Sequence, residues 1–226
     1  MTRLLVIVAL ALPFQPVSAP AQDLQLGLRA GFIRADLLEI PSEEWHPRTS
    51  LAGGAFVATR VNRWLGIRSE VLLMPKKVFK SEISDSPDGP FEIRRERDPL
   101  YLEIPVLAHL TVPGLPAPVP GLVLGLAGSF ELSCTETSFT RRLADGVRLS
   151  ENRLACDRRL TAPESPEIGA VVGLLGQVPV GGLMLGLEAR YTRGLYDLGN
   201  SRYAAERNFP EHRTAALSVL VEVMRQ

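Results

Sequence analysis

Eight charged residues occupy positions where an extended chain would turn them toward an interior. Arg29, Arg68, Glu70, Glu103, Glu131, Glu188, Arg190 and Glu222 lie in apolar-alternating segments, on the parity otherwise held mostly by glycine, alanine and serine. Buried charges are tolerated only when paired, because an uncompensated ion in a low-dielectric interior costs several kcal/mol. The pattern therefore predicts a network among Arg29, Arg68, Glu70, Glu103, Glu188 and Arg190, with Glu131 and Glu222 on the same side. Such a ring inside a wide cylinder would select ions or small solutes. Inside a narrow one it would act as a plug, which is the expected role here.

Two cysteines, Cys134 and Cys156, allow one intramolecular pairing. With no histidine or further cysteine beside them they do not form a zinc site, and an exported chain favours a disulfide. His46 follows Glu43 and Glu44, and His212 follows Glu211. Together they could bring an acid and an imidazole to one rim. No nucleophile accompanies them, so both read as solvated loop residues. His109 falls on the inward parity near a strand end and reads as a hydrogen-bonded interior residue. Phosphate-cradling glycine loops, zinc-protease motifs and nucleophile elbows do not occur. The expectation is a non-enzymatic protein with no catalytic residue, metal or cofactor.

Strands must hold these side chains. Leu102, Ile104, Val106, Ala108 and Leu110 share one parity while Tyr101, Glu103 and His109 take the other. Successive strand side chains point to opposite faces, so this segment is a strand with one oily side. The same alternation recurs over Leu24 to Ile33, Leu51 to Arg60, Trp64 to about Lys77, Leu100 to Val112, Leu122 to Ser133, Ile168 to Val178, Leu183 to Tyr196 and Arg213 to Met224. Turns at Val61-Asn62-Arg63, Pro113 to Gly121 and Val180-Gly181 are short. The segments Arg34 to Ser50, Ser81 to Asp98, Thr135 to Ser165 and Asp197 to Glu211 are long and polar. Alternating short and long connections are the rhythm of a transmembrane barrel with short periplasmic turns and longer extracellular loops. The predicted fold is an all-β, eight-stranded, antiparallel, up-and-down transmembrane β-barrel.

Residues 1–21 read as a secretory signal peptide, leaving 22–226 as the barrel domain. Arg3 gives the positive region, Leu4 to Leu12 the apolar stretch, and Ala19-Pro20-Ala21 a small-residue cleavage site. The 226 residues suffice for one barrel domain, and 25 basic against 25 acidic side chains leave no field for nucleic acid. Ile168 to Leu187 carries no charge, but Pro179 and Gly181-Gly182 interrupt it, so hairpins are expected there rather than a membrane helix. A soluble barrel would show water a polar face rich in Lys, Thr, Asn and Gln. Here the second face is small residues with charges of both signs, which suits a crowded lumen and leaves the Leu/Val/Ile face for lipid.

Two segments carry a family likeness. Leu102-Glu103-Ile104-Pro105-Val106-Leu107 resembles the "LEIPLLLK" segment of the porin-like outer-membrane β-barrel domain found in Bacteroidetes-type bacteria. Leu187-Glu188-Ala189-Arg190-Tyr191-Thr192-Arg193-Gly194-Leu195 is similar to that family's "E-x-RY-x-x-GL" segment, and the last strand, Arg213 to Val219, is similar in place and tenor. The resemblance, nearest to small barrels of the PorT type, implies an outer-membrane location. The partners it leads us to expect are outer-membrane lipid and an extracellular or periplasmic protein. Loops for surface interaction or envelope support are the expected function, with a narrow porin as the alternative. The chain ends in Val223-Met224-Arg225-Gln226, without the terminal aromatic common in such barrels.

Overall fold

The computed structural model describes residues 24–37, 45–156 (apart from 86, 88, 113 and 116), 167–197 and 214–225. The leader, Glu43, Glu44, Glu211 and His212 lie outside these residues. The described elements are β1 (Leu24–Leu37), β2 (His46–Pro47), β3 (Thr49–Arg60), β4 (Leu65–Pro75), β5 (Val78–Ser84), β6 (Phe91–Thr111), β7 (Val119–Arg142), β8 (Arg148–Ala155), β9 (Glu167–Val180), β10 (Leu183–Asp197) and β11 (Thr214–Arg225).

Eight of these close a ring. The order β1-β3-β4-β6-β7-β9-β10-β11 follows the chain, every pairing is antiparallel, and β11 returns to β1. Closure removes the open edges that a flat sheet would expose. The protein is therefore an all-β, eight-stranded, up-and-down antiparallel barrel. One end carries both described termini and the short turns. Asn62 tightens one turn by accepting the backbone N–H of Trp64 and of Leu65 through Oδ1, both at 2.9 Å. Gly181 and Gly182 form the two-residue β9–β10 turn with φ of 56° and 84°, a conformation that a Cβ would penalise.

The opposite end departs from the sequence expectation. β6 runs for 21 residues and β7 for 24, against the roughly 9–11 that cross a bilayer. Beyond the barrel rim the two strands continue together. β5 joins β6, β8 joins β7 and β2 joins β5, so among the described residues much of Ser81 to Asp98 and of Thr135 to Cys156, expected as loop, is sheet. Leu132 is an extra residue in β7, since Leu100 faces Ser133 and Tyr101 faces Glu131, and it marks the transition. Phe91 to Asp98 and Thr135 to Arg142 place charges on both parities, so no apolar alternation betrays them.

The two barrel faces differ as patterning requires. Leu26, Leu51, Leu174 and Leu217 are exposed by 67%, 69%, 68% and 57%, and Val71, Val106, Leu126 and Leu187 extend the belt onto the other four strands. Soluble monomers rarely expose more than a few hundred Å² of contiguous apolar surface, whereas this belt encircles the molecule. Inside, Ile33, Ala35, Ala52, Leu72, Met74 and Ala216 form one cluster, and Leu107, Val123, Ala127, Val171 and Leu175 another. The lumen is packed with side chains at both levels.

Candidate functional site

Three arginines and three glutamates meet below the first apolar cluster. Arg29 comes from β1, Arg68 and Glu70 from β4, Glu188 and Arg190 from β10, and Glu222 from β11, all buried. Arg190 grips Glu70 with two parallel bonds, Nη1 to Oε2 at 3.0 Å and Nη2 to Oε1 at 2.8 Å, and donates from Nε to Glu188 at 2.7 Å. Glu188 also accepts from Arg29 at 3.0 Å and from Arg68. Arg29 donates to Glu70 as well, and Arg68 donates to Glu222 at 2.8 Å. Gln177 on β9 completes Glu222 with an amide bond of 2.9 Å. Charges of the two signs cancel, and planar guanidinium forks match carboxylates in the way that makes such pairs strong.

Small residues make room for this cluster. A Cβ on Gly186 would meet Glu222 Cγ at 2.5 Å, so glycine there lets the carboxylate reach across. Gly27 similarly leaves space for the Phe56 ring. That ring lies 5.9 Å from the Arg29 guanidinium and 5.5 Å from that of Arg68, close enough for cation–π attraction.

Two of the sequence candidates stand apart. Glu103 is fully buried but meets no arginine; Ser129 Oγ donates to it at 3.4 Å, and its Oε1 has no hydrogen-bond partner. Strand stagger is the reason. Glu103 is level with Leu72 on β4, one inward layer beyond Glu70, so the apolar side chains of Leu72 and Met74 intervene. Glu131 accepts from Tyr101 Oη at 3.4 Å instead of joining the cluster. His109 faces inward as expected, yet its Nε2 is buried without a hydrogen-bond partner. Gln177 and Phe56 were missed because a neutral amide and a ring on the inward parity look like ordinary filling. A second pair, Lys76 with Glu167 at 3.8 Å, lies nearer the opposite end, with the Lys76 ammonium 4.4 Å from the Tyr101 ring.

Beyond the rim, the outward face of the sheet alternates arginine with aromatic rings. The Arg94 guanidinium stands 4.3 Å from the Phe79 ring and 6.0 Å from Phe139, and Arg148 lies 4.7 Å from Phe139. His46, considered above for acid–base work, has its ring 5.3 Å from Phe79. Arg48 and Arg94 both pair with Glu96, at 2.9 and 3.0 Å, and Arg141 pairs with Glu92 at 2.7 Å. The Ser81 hydroxyl, reinforced by Arg141, holds the Glu92 carboxyl below its ordinary range. On the face that continues the lumen, Arg97 pairs with Glu136 at 2.8 Å and stacks 4.8 Å from Trp45.

Cys134 and Cys156 are joined in a disulfide across 22 residues, with Cα atoms 5.3 Å apart. The bond pins the root of the β7–β8 hairpin to β7, beside a backbone bond from Cys156 N to Cys134 O of 3.2 Å. A loop of that length implies about 3 kcal/mol of chain-entropy stabilisation. The Cys134→Ser/Cys156→Ser variant is expected to keep its barrel but to expose Arg148 and Arg153 to trypsin much faster. Timed digestion of the folded protein checks this; unchanged cleavage would show the hairpin to be held by its backbone bonds alone.

No protein-family model and no curated protein matches the sequence. Solved structures do. Neisserial surface protein A is 13% identical with a TM-score of 0.40, covering 88% of this chain and 96% of that one. Ail, the attachment invasion locus protein of Yersinia pestis, is 8% identical with a TM-score of 0.38, covering 89% and 98%. The outer membrane protein OprG from Pseudomonas aeruginosa is 12% identical with a TM-score of 0.38, covering 89% and 93%. The chain is similar to them in architecture, and its own strand pairing is what defines it as a closed eight-stranded barrel.

Proposed function

We propose that this protein is a non-enzymatic outer-membrane barrel, exported through a cleaved leader, whose sealed lumen serves as an anchor for an extracellular binding sheet. The observation that carries the reading is the juxtaposition of three features on one set of strands. An apolar belt surrounds the barrel, a neutral ion cluster fills its section, and β6 and β7 run on past the rim to support β2, β5 and β8. A belt of this kind fits lipid, and rigid scaffolds commonly carry recognition on the segments that project from them. Surface interaction or envelope support is the corresponding role, with a protein of the extracellular or periplasmic side as partner.

A narrow porin is the alternative, and the packed interior counts against it, because eight strands enclose little more than their own side chains. The test is membrane fractionation with gel mobility before and after boiling. Recovery in the outer membrane, with a mobility shift on heating, is expected. Recovery as a detergent-free monomer would overturn the proposal. Planar-bilayer recording with the purified barrel is expected to show no steady conductance, and ohmic steps would favour the porin.

A further inference from the structure

At the short-turn end, beneath the ion cluster, lies a cavity of about 60 Å³ whose lining differs from the rest of the lumen. Gln25, Arg60, Arg68, His109, Thr111 and Gln177 contribute polar side chains, Phe56 adds a ring, and no carboxylate lines it. The neighbouring acid, Glu222, is already occupied by Arg68 and Gln177. Arg68 is itself paired with Glu70, Glu188 and Glu222, so the charge that no carboxylate of the lining faces is that of Arg60. One buried nitrogen of the lining, His109 Nε2, has no hydrogen-bond partner. Unsatisfied buried polar atoms are uncommon in folded proteins and point to a missing partner. Gly121 keeps the imidazole in this position, since a Cβ there would sit 2.7 Å from His109 Nε2.

We infer that this cavity binds a small oxyanion, a carboxylate or a phosphate, entering from the side of the short turns. A guanidinium binds such oxygens by charge-assisted hydrogen bonds and a neutral imidazole N–H can add one more, and Arg60 at the exposed mouth supplies charge that no carboxylate of the lining offsets. The size suits an ion of a few heavy atoms. The idea does not depend on which membrane holds the barrel.

The test uses the full mature barrel folded in detergent, with labelled histidine observed by NMR at fixed pH. The chain has three histidines, and His46 sits on the outer sheet as an internal control. Sodium phosphate, sodium acetate and sodium chloride are titrated at matched ionic strength. The expected result is a saturable movement of the His109 ring signals with phosphate, acetate or both, and none with chloride. A response to phosphate alone or to acetate alone identifies which oxyanion the site takes. Arg60→Gln should raise the midpoint about tenfold, the equivalent of one lost charge-assisted bond of about 1.4 kcal/mol. Gly121→Ala should abolish saturation by displacing the imidazole; if that variant does not fold, Arg60→Gln decides alone. Equal, unsaturated movement with all three salts, or an unchanged midpoint in Arg60→Gln, would overturn the inference.

Discussion

Replacing Glu188 by alanine is expected to destabilise the folded barrel by about 3–5 kcal/mol, the range for breaking a buried ion network from one side. The Glu188 carboxylate is shared by Arg29, Arg68 and Arg190. Its loss leaves three guanidiniums facing Glu70 and Glu222, an uncompensated positive charge buried inside the barrel. Denaturant unfolding of the barrel in lipid or detergent measures the effect. Glu103→Gln is the matched control, because Glu103 is just as buried but accepts from Ser129 and from no arginine. Its change is expected to stay within about 1 kcal/mol, the scale of one modest hydrogen bond. The double variant Glu188→Ala/Arg190→Ala should lose less than the sum of the single losses, since the second removal restores neutrality. Equal losses at Glu188 and Glu103 would mean that burial, not pairing, sets the cost.

The second large effect lies on the outer surface. Leu126→Arg is expected to cost about 2–4 kcal/mol in a bilayer, as charges do on the lipid face near mid-depth. Leu126 is 56% exposed on β7, level with Val106 and Ala170 on the flanking strands. An exposed leucine in contact with water should accept arginine freely. Leu154→Arg supplies that comparison, because Leu154 is 61% exposed on β8, beyond the rim. It is expected to leave stability unchanged within about 0.5 kcal/mol. Unfolding from lipid vesicles reads both. Tolerance of arginine at Leu126 would remove the lipid-facing assignment of the belt, and with it the anchor role.

The ion cluster and the sheet were unequally visible before folding. Arg29, Arg68, Glu70, Glu188, Arg190 and Glu222 could be placed together because each sat on the small-residue parity of a strongly alternating segment. Whether Glu103 joined them could not be read that way. Parity assigns a face, but height along the barrel depends on stagger between strands, and stagger is fixed by pairing. The sheet formed with β5 and β8 escaped for a related reason. Wet on both faces, its residues had no apolar rhythm, so their charges resembled those of loops. Its existence follows from backbone pairing that β6 and β7 extend beyond the rim.

Sequence alone determined that strands would form, how many would close the ring, and which face of each would be oily, because side-chain alternation is a local property with period two. Tertiary structure decided which charges share a layer, where a histidine is left without a partner, and how far the strands outrun the barrel. Those depend on distances between segments far apart in the chain, set by hydrogen-bond register and packing rather than by the order of residues within any one strand.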